Sequence, residues 1–176
     1  RGSGLRGLGG IYPVNGMYIR PLLCVGRKEI EDYLKGREMP YCIDATNMED
    51  AYMRNRIRNH VIPYFKENIN EKTVEHMNRS MDQLREIWDY MERQTESAYQ
   101  ICTDQNGEKI CIHADAYHRQ ERLIRKMILR KALALVAEHE KDLEQVHVEK
   151  LEGLFEKQVG KRLDLPYAVC ACRTYE

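Results

Sequence analysis

The sequence contains no apolar run near 18 residues, no charged-then-apolar leader and no excess of either sign of charge. The first absence excludes a membrane-spanning helix, and the second gives no indication of secretion. Glycine and proline are sparse, at 11 and 5 of 176 residues, whereas charged residues make up 32%. We therefore expect a folded cytoplasmic protein with reduced thiols and no membrane partner.

Common catalytic and metal motifs are absent as well. The sequence has no GxxxxGK[ST], HExxH or GxSxG segment, so it assigns no catalytic residue. The six cysteines form no CxxC pair, and Cys170 and Cys172 are better explained as the packed side of a strand than as metal ligands. Four histidines are interpreted as ordinary surface residues, and we expect no metal site: His113, His118, His139 and His147.

The balanced total conceals an alternation of charge along the chain. Residues 1–66 carry 11 Lys and Arg against 7 Asp and Glu, and residues 114–134 carry 6 against 2. Residues 67–113 carry 5 against 10, and residues 135–176 carry 6 against 9. The alternation predicts basic surfaces separated by acidic ones.

Apolar residues spaced three and four apart predict a mostly helical α+β chain with small β elements. The longest predicted helix covers residues 71–101 and carries a narrow apolar seam between charged faces. Asn106-Gly107 predicts a β-hairpin, and Asn15-Gly16 predicts either a hairpin or an irregular extended segment. Because the chain starts in a glycine-rich loop and stops within a strand-like alternation, we expect a fragment. Further helices are predicted over residues 26–38, 51–65 (bent or ended by Pro63), 115–137 and 147–158.

The segment MRNRIRNHVIPYF carries three arginines on a predicted helix. At 3.6 residues per turn, Arg54 and Arg58 share a face with Val61, whereas Arg56 points away. An arginine on the packed side needs a partner, and one interpretation is a structural pair with Asp44 or a neighbouring carboxylate. The other interpretation is a planar donor fork for phosphate. The residues themselves leave both open.

A second basic segment, YHRQERLIRKMILRKALALV, predicts a row of cations on the helix over residues 115–137. A solvated helix face is the ordinary explanation, and contact with nucleic-acid phosphates is its competitor. The glycine-rich segment at residues 1–10 is a similarly open case, because glycine lets backbone N–H groups approach phosphate. The row consists of Arg119, Arg122, Lys126 and Arg130. The expected buried face beside it consists of Leu123, Ile124, Met127 and Ile128.

Four segments resemble a known family in order and spacing: RGSGLRGLGGI, IRPLL, RKEIEDYL, and DATN followed by RNRIRNHVIPYF. Together they look like the middle of bacterial tRNA(Ile)-lysidine synthetases, which are N-type ATP pyrophosphatases. The terminal GKRLDLP segment resembles the start of that family's C-terminal β-rich domain. The resemblance implies three parts. Residues 1–68 are the tail of an α/β catalytic domain, residues 69–158 a helical domain with the long linking helix, and residues 159–176 the start of the β-rich domain.

The resemblance implies a ligase that uses ATP and Mg²⁺ to adenylate C2 of the wobble cytidine of minor isoleucine tRNA, after which lysine displaces AMP. It also implies a cytoplasmic enzyme and suggests a homodimer. The family's phosphate loop, SGG-x-DS, is not found in these 176 residues. We therefore expect the fragment alone to be inactive and to hold neither ATP nor Mg²⁺.

The resemblance also carries over individual residues. It puts Arg1, Gly2, Ser3 and Gly4 at the active-site rim, and it matches Arg54, Asn55, Arg56 and Arg58 to a stretch used for packing or RNA contact. With the helical geometry above, Arg56 is expected to contact tRNA, as is the row Arg119, Arg122, Lys126 and Arg130. Arg54 and Arg58 are expected to pack. The competing hypotheses are a helical RNA-binding module without chemistry and a helical protein-interaction domain.

Overall fold

The computed structural model describes residues 4–42, 46, 49–50, 52–139 and 143–175. This part of the chain is mostly helical and holds small two-stranded antiparallel sheets. The mostly helical α+β class predicted from the sequence is thereby confirmed. No helix in the described part is long and apolar enough to cross a membrane.

The chain divides into two compact units, residues 1–88 and 89–176. The division falls within the longest helix, and residues 159–176 belong to the second unit rather than standing apart. The three-part domain division drawn from the resemblance stays a prediction.

The first unit contains short elements linked by turns. Its hairpin pairs Asn15 with Tyr18, so Gly16 lies in the turn with a φ of 58°, and the predicted Asn-Gly hairpin is confirmed. Helix α2 starts where the Gly26 N–H donates to Glu29 Oε2 at 2.6 Å. The elements are α1 (Leu5–Leu8), β1 (Val14–Asn15), β2 (Tyr18–Ile19), a 3₁₀ turn (Pro21–Cys24), α2 (Arg27–Gly36), α3 (Met53–Arg56), a π-helical segment (Ile57–Val61) and α4 (Ile62–Asn68).

The helical run from Met53 continues to Asn68, so Pro63 does not end it, and of the two predicted effects of Pro63 a bend stays a prediction. A proline inside a helix clashes with the carbonyl four residues earlier. Here the wider π-helical segment ends at Val61, and Pro63 is the second residue of α4, in a first turn that tolerates a residue without an N–H group. The helix therefore continues to Asn68.

The long helix α5 runs over Thr73–Cys102, close to the predicted range of 71–101. Asn70 defines its start. The Asn70 side chain accepts the N–H of Lys72 at 2.8 Å, and the Asn70 carbonyl accepts the Thr73 hydroxyl at 2.6 Å. The predicted apolar seam is only partly removed from water: its first members, Val74 and Met77, are exposed, and the later ones are half-buried, namely Met81, Leu84, Trp88 and Met91.

The second unit departs from prediction where one helix was expected over residues 115–137. Two helices form instead, because the backbone turns extended at Glu121 (ψ 145°). The Asn106-Gly107 hairpin is confirmed, and α8 ends at Leu154 rather than near residue 158. The elements after α5 are β3 (Thr103–Asn106), β4 (Lys109–Ile112), α6 (Ala114–His118), α7 (Arg122–Ala137), α8 (Gln145–Leu154), β5 (Arg162–Asp164), a 3₁₀ turn (Pro166–Ala168) and β6 (Cys170–Cys172).

The fully buried apolar side chains of the described residues lie in the second unit, in two clusters. Tyr117 is completely buried, and its ring stacks on Phe155 with centroids 4.4 Å apart and planes 4° from parallel. One cluster comprises Ala98, Tyr99, Cys102, Tyr117, Ile128, Leu129, Ala132 and Val148. The other comprises Leu133, Leu143 and Leu165.

The buried face of α7 is not the one predicted. Leu123 is 55% exposed, whereas Leu129 is 1% exposed and Leu133 is 3% exposed. The predicted face was calculated for one helix through Arg119, and the break before α7 allows the helix to turn a different side to the core. Of the expected apolar face, Ile128 alone is fully buried, and Ile124 and Met127 are half-buried.

Leu129 and Leu123 form a matched pair for testing this assignment. We expect Leu129→Ala to lower the free energy of unfolding by about 2–5 kcal/mol, because it leaves a cavity in the core. Leu123→Ala should cost less than about 1 kcal/mol, because that side chain already contacts water. Urea unfolding of both variants checks the difference, and equal losses would contradict the buried face.

Burial also raises the pKa of Tyr117 to about 12. The neutral phenol is therefore favoured in the folded state, so this contribution to stability is complete below the ordinary pKa near 10 and is lost as pH rises through 12. We expect Tyr117→Phe to lose less stability than wild type between pH 10 and 12, by up to about 2–3 kcal/mol. Denaturant unfolding at several pH values from 10 to 12 measures the free energy of unfolding of both proteins. Equal losses in wild type and Tyr117→Phe over that range would contradict the prediction.

Candidate functional site

The glycine-rich segment of residues 1–10 is described only in part. Arg1, Gly2 and Ser3, three of the residues expected at an active-site rim, lie outside the described residues. Gly4 is exposed and precedes α1, and a Cβ added to it would meet nothing within 4 Å. Packing therefore does not require glycine at position 4.

The arginine-rich helix presents its cations outwards. Arg54, Arg56 and Arg58 are all exposed, so the described residues do not bury Arg54 and Arg58, and their expected packing stays a prediction for the full-length protein. The π-helical segment from Ile57 changes the angle between successive side chains, which a constant 3.6-residue period does not include. Arg54 lies over the Tyr52 ring at 5.2 Å, and its expected partner Asp44 lies outside the described residues.

The residue that packs in this stretch is Asn55, which is 4% exposed. Its side-chain Nδ2 donates to the carbonyls of Thr46 at 3.0 Å and Glu49 at 2.9 Å. Asn55 thereby ties the start of the arginine-rich helix to the preceding loop. Nearby, the ring of His60 contacts Asp50 at 2.7 Å, again between the helix and that loop.

The second candidate surface is the cation row on α7. Arg122, Lys126 and Arg130 follow one another at four-residue spacing within one helix, so they share a face as predicted. Arg119 does not belong to this helix, because it follows α6 and precedes the extended residue Glu121. Arg122 and Arg130 are exposed, and Lys126 is half-buried. The α7 row (Arg122, Lys126 and Arg130) is therefore a continuous basic strip on one helix.

Two other cations of α7 contact side chains within the second unit. Sequence periodicity did not reveal these contacts. Lys131 pairs with Glu96 and lies 4.7 Å from the Tyr99 ring centroid. That hydrogen bond holds the pKa of Glu96 below its usual value. Arg125 lies over the Tyr117 ring at 5.7 Å. Lys131 and Arg125 therefore stabilise the fold, unlike the α7 row.

Among the described residues, the side chains that commonly bind metal ions are scattered rather than clustered. No group of three His, Cys, Asp or Glu side chains suited to a metal ion occurs among the described residues. The phosphate-loop motif is also missing from the sequence. What the described residues offer is an exposed glycine next to a helical turn and two basic helix surfaces.

Asn55 offers a direct test of this geometry. In the full-length protein, Asn55→Ala should lower the free energy of unfolding by about 1–3 kcal/mol, because two buried hydrogen bonds are lost together. Arg56→Ala, at the neighbouring exposed position, should change it by less than about 0.5 kcal/mol. Urea unfolding measures both, and an Asn55 variant as stable as the Arg56 variant would refute the assignment.

Comparison with known proteins adds independent evidence. Residues 1–65 match the family model of the PP-loop domain. The chain is 41% identical over 175 residues to a tRNA(Ile)-lysidine synthase of Caldanaerobacter subterraneus, covering 99% of this chain and 38% of the relative. It is 34% identical to the tRNA(Ile)-lysidine synthase of Clostridium perfringens, covering 99% and 37%.

The tRNA(Ile)-lysidine synthase of Clostridium acetobutylicum is 33% identical over 176 residues, covering 99% of this chain and 38% of the relative. The chain thus spans less than two fifths of the length of these curated relatives. Along nearly its own whole length it is similar to tRNA(Ile)-lysidine synthases, and the resemblance seen in its sequence motifs is confirmed.

Proposed function

We propose that this chain is part of a tRNA-modifying ligase that uses ATP to attach lysine to C2 of the wobble cytidine of minor isoleucine tRNA. The observation that carries the proposal is the 41% identity over 99% of the chain to a tRNA(Ile)-lysidine synthase. Within that enzyme, the chain supplies part of the active-site rim and a tRNA-binding surface. The phosphate loop and the sites for ATP, Mg²⁺ and lysine belong to other parts of the full-length protein.

The exposed apolar side chains of the first unit support a role as part of a larger catalytic domain. Within the described residues of that unit, no large apolar side chain is fully buried. Leu8, Ile11, Leu22 and Val61 are between 43% and 63% exposed, all within the segment matched by the PP-loop model. The remainder of that domain would cover this surface in the full-length protein.

The proposed activity is tested with the full-length protein, ATP, lysine and minor isoleucine tRNA. We expect lysidine formation that requires all three substrates. The chain of residues 1–176 by itself should neither turn over ATP nor form lysidine, because nothing in it holds the triphosphate in line for adenylation. Binding of tRNA without modification by the full-length protein would favour the alternative of a non-catalytic RNA-binding module.

For the tRNA surface, the α7 row is the proposed contact with the phosphate backbone. Each cation that contacts phosphate releases about one counterion on binding. Replacing Arg122 and Lys126 together with Ala should therefore weaken tRNA binding by the full-length protein. It should also flatten the dependence of log K on log salt by roughly two units. Titration against tRNA at several salt concentrations measures the slope.

Lys131→Ala is the matched control for this prediction, since Lys131 is a cation of the same helix that pairs with Glu96. We expect it to leave the salt slope unchanged. An unchanged slope in the Arg122 and Lys126 double variant would contradict contact with phosphate. The α7 row would then be interpreted as a solvated helix face.

A further inference from the structure

One arginine of α5 holds the backbone that follows the glycine-rich segment. Arg85 Nε donates to the carbonyl of Gly9 at 2.6 Å, and Arg85 Nη2 donates to the carbonyl of Ile11 at 2.9 Å. Its third nitrogen, Nη1, contacts Asp82 Oδ1 at 2.8 Å, and the Arg85 side chain is 23% exposed. All three guanidinium nitrogens are therefore engaged, two of them with residues more than 70 positions earlier in the chain.

The same short stretch of backbone receives further contacts. The Arg85 guanidinium lies 5.5 Å from the centroid of the Tyr12 ring, and Arg20 Nη1 donates to the Tyr12 carbonyl at 3.1 Å. Guanidinium groups thus bind the carbonyls of Gly9, Ile11 and Tyr12. A short segment with so many fixed carbonyl groups has little freedom to change conformation.

Glycine at positions 9 and 10 allows the backbone to lie close to α5. A Cβ at Gly9 would lie 3.0 Å from Arg85 Cγ, and a Cβ at Gly10 would lie 3.0 Å from Met81 Sδ. Gly10 also has a φ of 73°, a conformation that side chains disfavour. The sequence GG at positions 9 and 10 therefore fits close contact with α5.

We propose that Arg85 is a positioning residue, which fixes the orientation of residues 4–12, the described part of the glycine-rich segment and the two residues after it, at the active-site rim. Hydrogen bonds connect Arg85 to that segment in steps, since the Gly9 N–H donates to the Leu5 carbonyl at 3.2 Å and the Leu8 N–H to the Gly4 carbonyl at 3.0 Å. Removing the guanidinium releases Gly9, and with it the single helical turn that follows Gly4. The placement at the rim rests on the proposed function, whereas the attachment to Arg85 does not.

The attachment is tested by hydrogen exchange in the full-length protein. Arg85→Met keeps an apolar stem and removes the guanidinium, and Arg79→Met is the matched control at an exposed position of the same helix. We expect backbone amides of residues 5–12 to exchange about tenfold faster or more in Arg85→Met, with no change in Arg79→Met. Asp82→Asn, which removes the carboxylate beside Nη1 and keeps the donors, should give a smaller increase and serves if Arg85→Met does not fold. Equal exchange in all variants would overturn the attachment.

The role at the active site is tested by kinetics of the same variants. Arg85→Met should lower kcat for lysidine formation about tenfold or more, with the KM for tRNA changed less than about twofold, and Arg85→Lys should restore part of kcat. Faster exchange with an unchanged kcat would overturn the positioning role and leave a purely structural tie. If the wild-type protein forms no lysidine, the proposed function fails, and the exchange experiment still decides whether Arg85 holds the segment.

Discussion

The unequal burial of apolar side chains is the constraint on which the rest of the structure depends. In the second unit, Tyr117, Leu129 and their neighbours are removed from water, so helices and a hairpin are held by packing. The described residues of the first unit have no comparable core. Directed hydrogen bonds from Asn55, Arg85 and Arg20 hold its loops instead. Such contacts fix individual backbone atoms, which suits a part of a protein that must present residues in a defined geometry.

Local signals in the sequence predicted the elements whose formation depends on residues that are near one another in the chain. The apolar spacing of α5 and the two Asn-Gly turns required no knowledge of distant residues, and each was found close to its predicted place. The break between α6 and α7 was missed, because no proline or glycine marks it. There, the burial of Tyr117 against Phe155, which directly follows α8, accompanies an interruption that helix propensity alone would not introduce.

The roles of the cations were less predictable than the helices. Periodicity places Arg122, Lys126 and Arg130 in one row correctly, but it wrongly adds Arg119 and does not reveal that Lys131 pairs with Glu96. It also assigned packing to Arg54 and Arg58, although the packed side chain is Asn55 between them. An amide can satisfy two carbonyls inside the fold without carrying a charge out of water, whereas a buried guanidinium requires a counter-charge. Burial of Asn55 therefore costs less free energy than burial of any arginine of the RNRIR segment would.

Glycines of the N-terminal segment serve two different physical requirements. At Gly9 and Gly10, side chains would collide with Arg85 and Met81, so packing against α5 explains glycine there. At Gly4 there is open space for a side chain, and the backbone conformation is one that any residue adopts. Neither packing nor strain accounts for glycine at position 4. Gly4 is the N-cap residue of α1, a position at which glycine is among the favoured residues, and its place at an active-site rim stays a prediction.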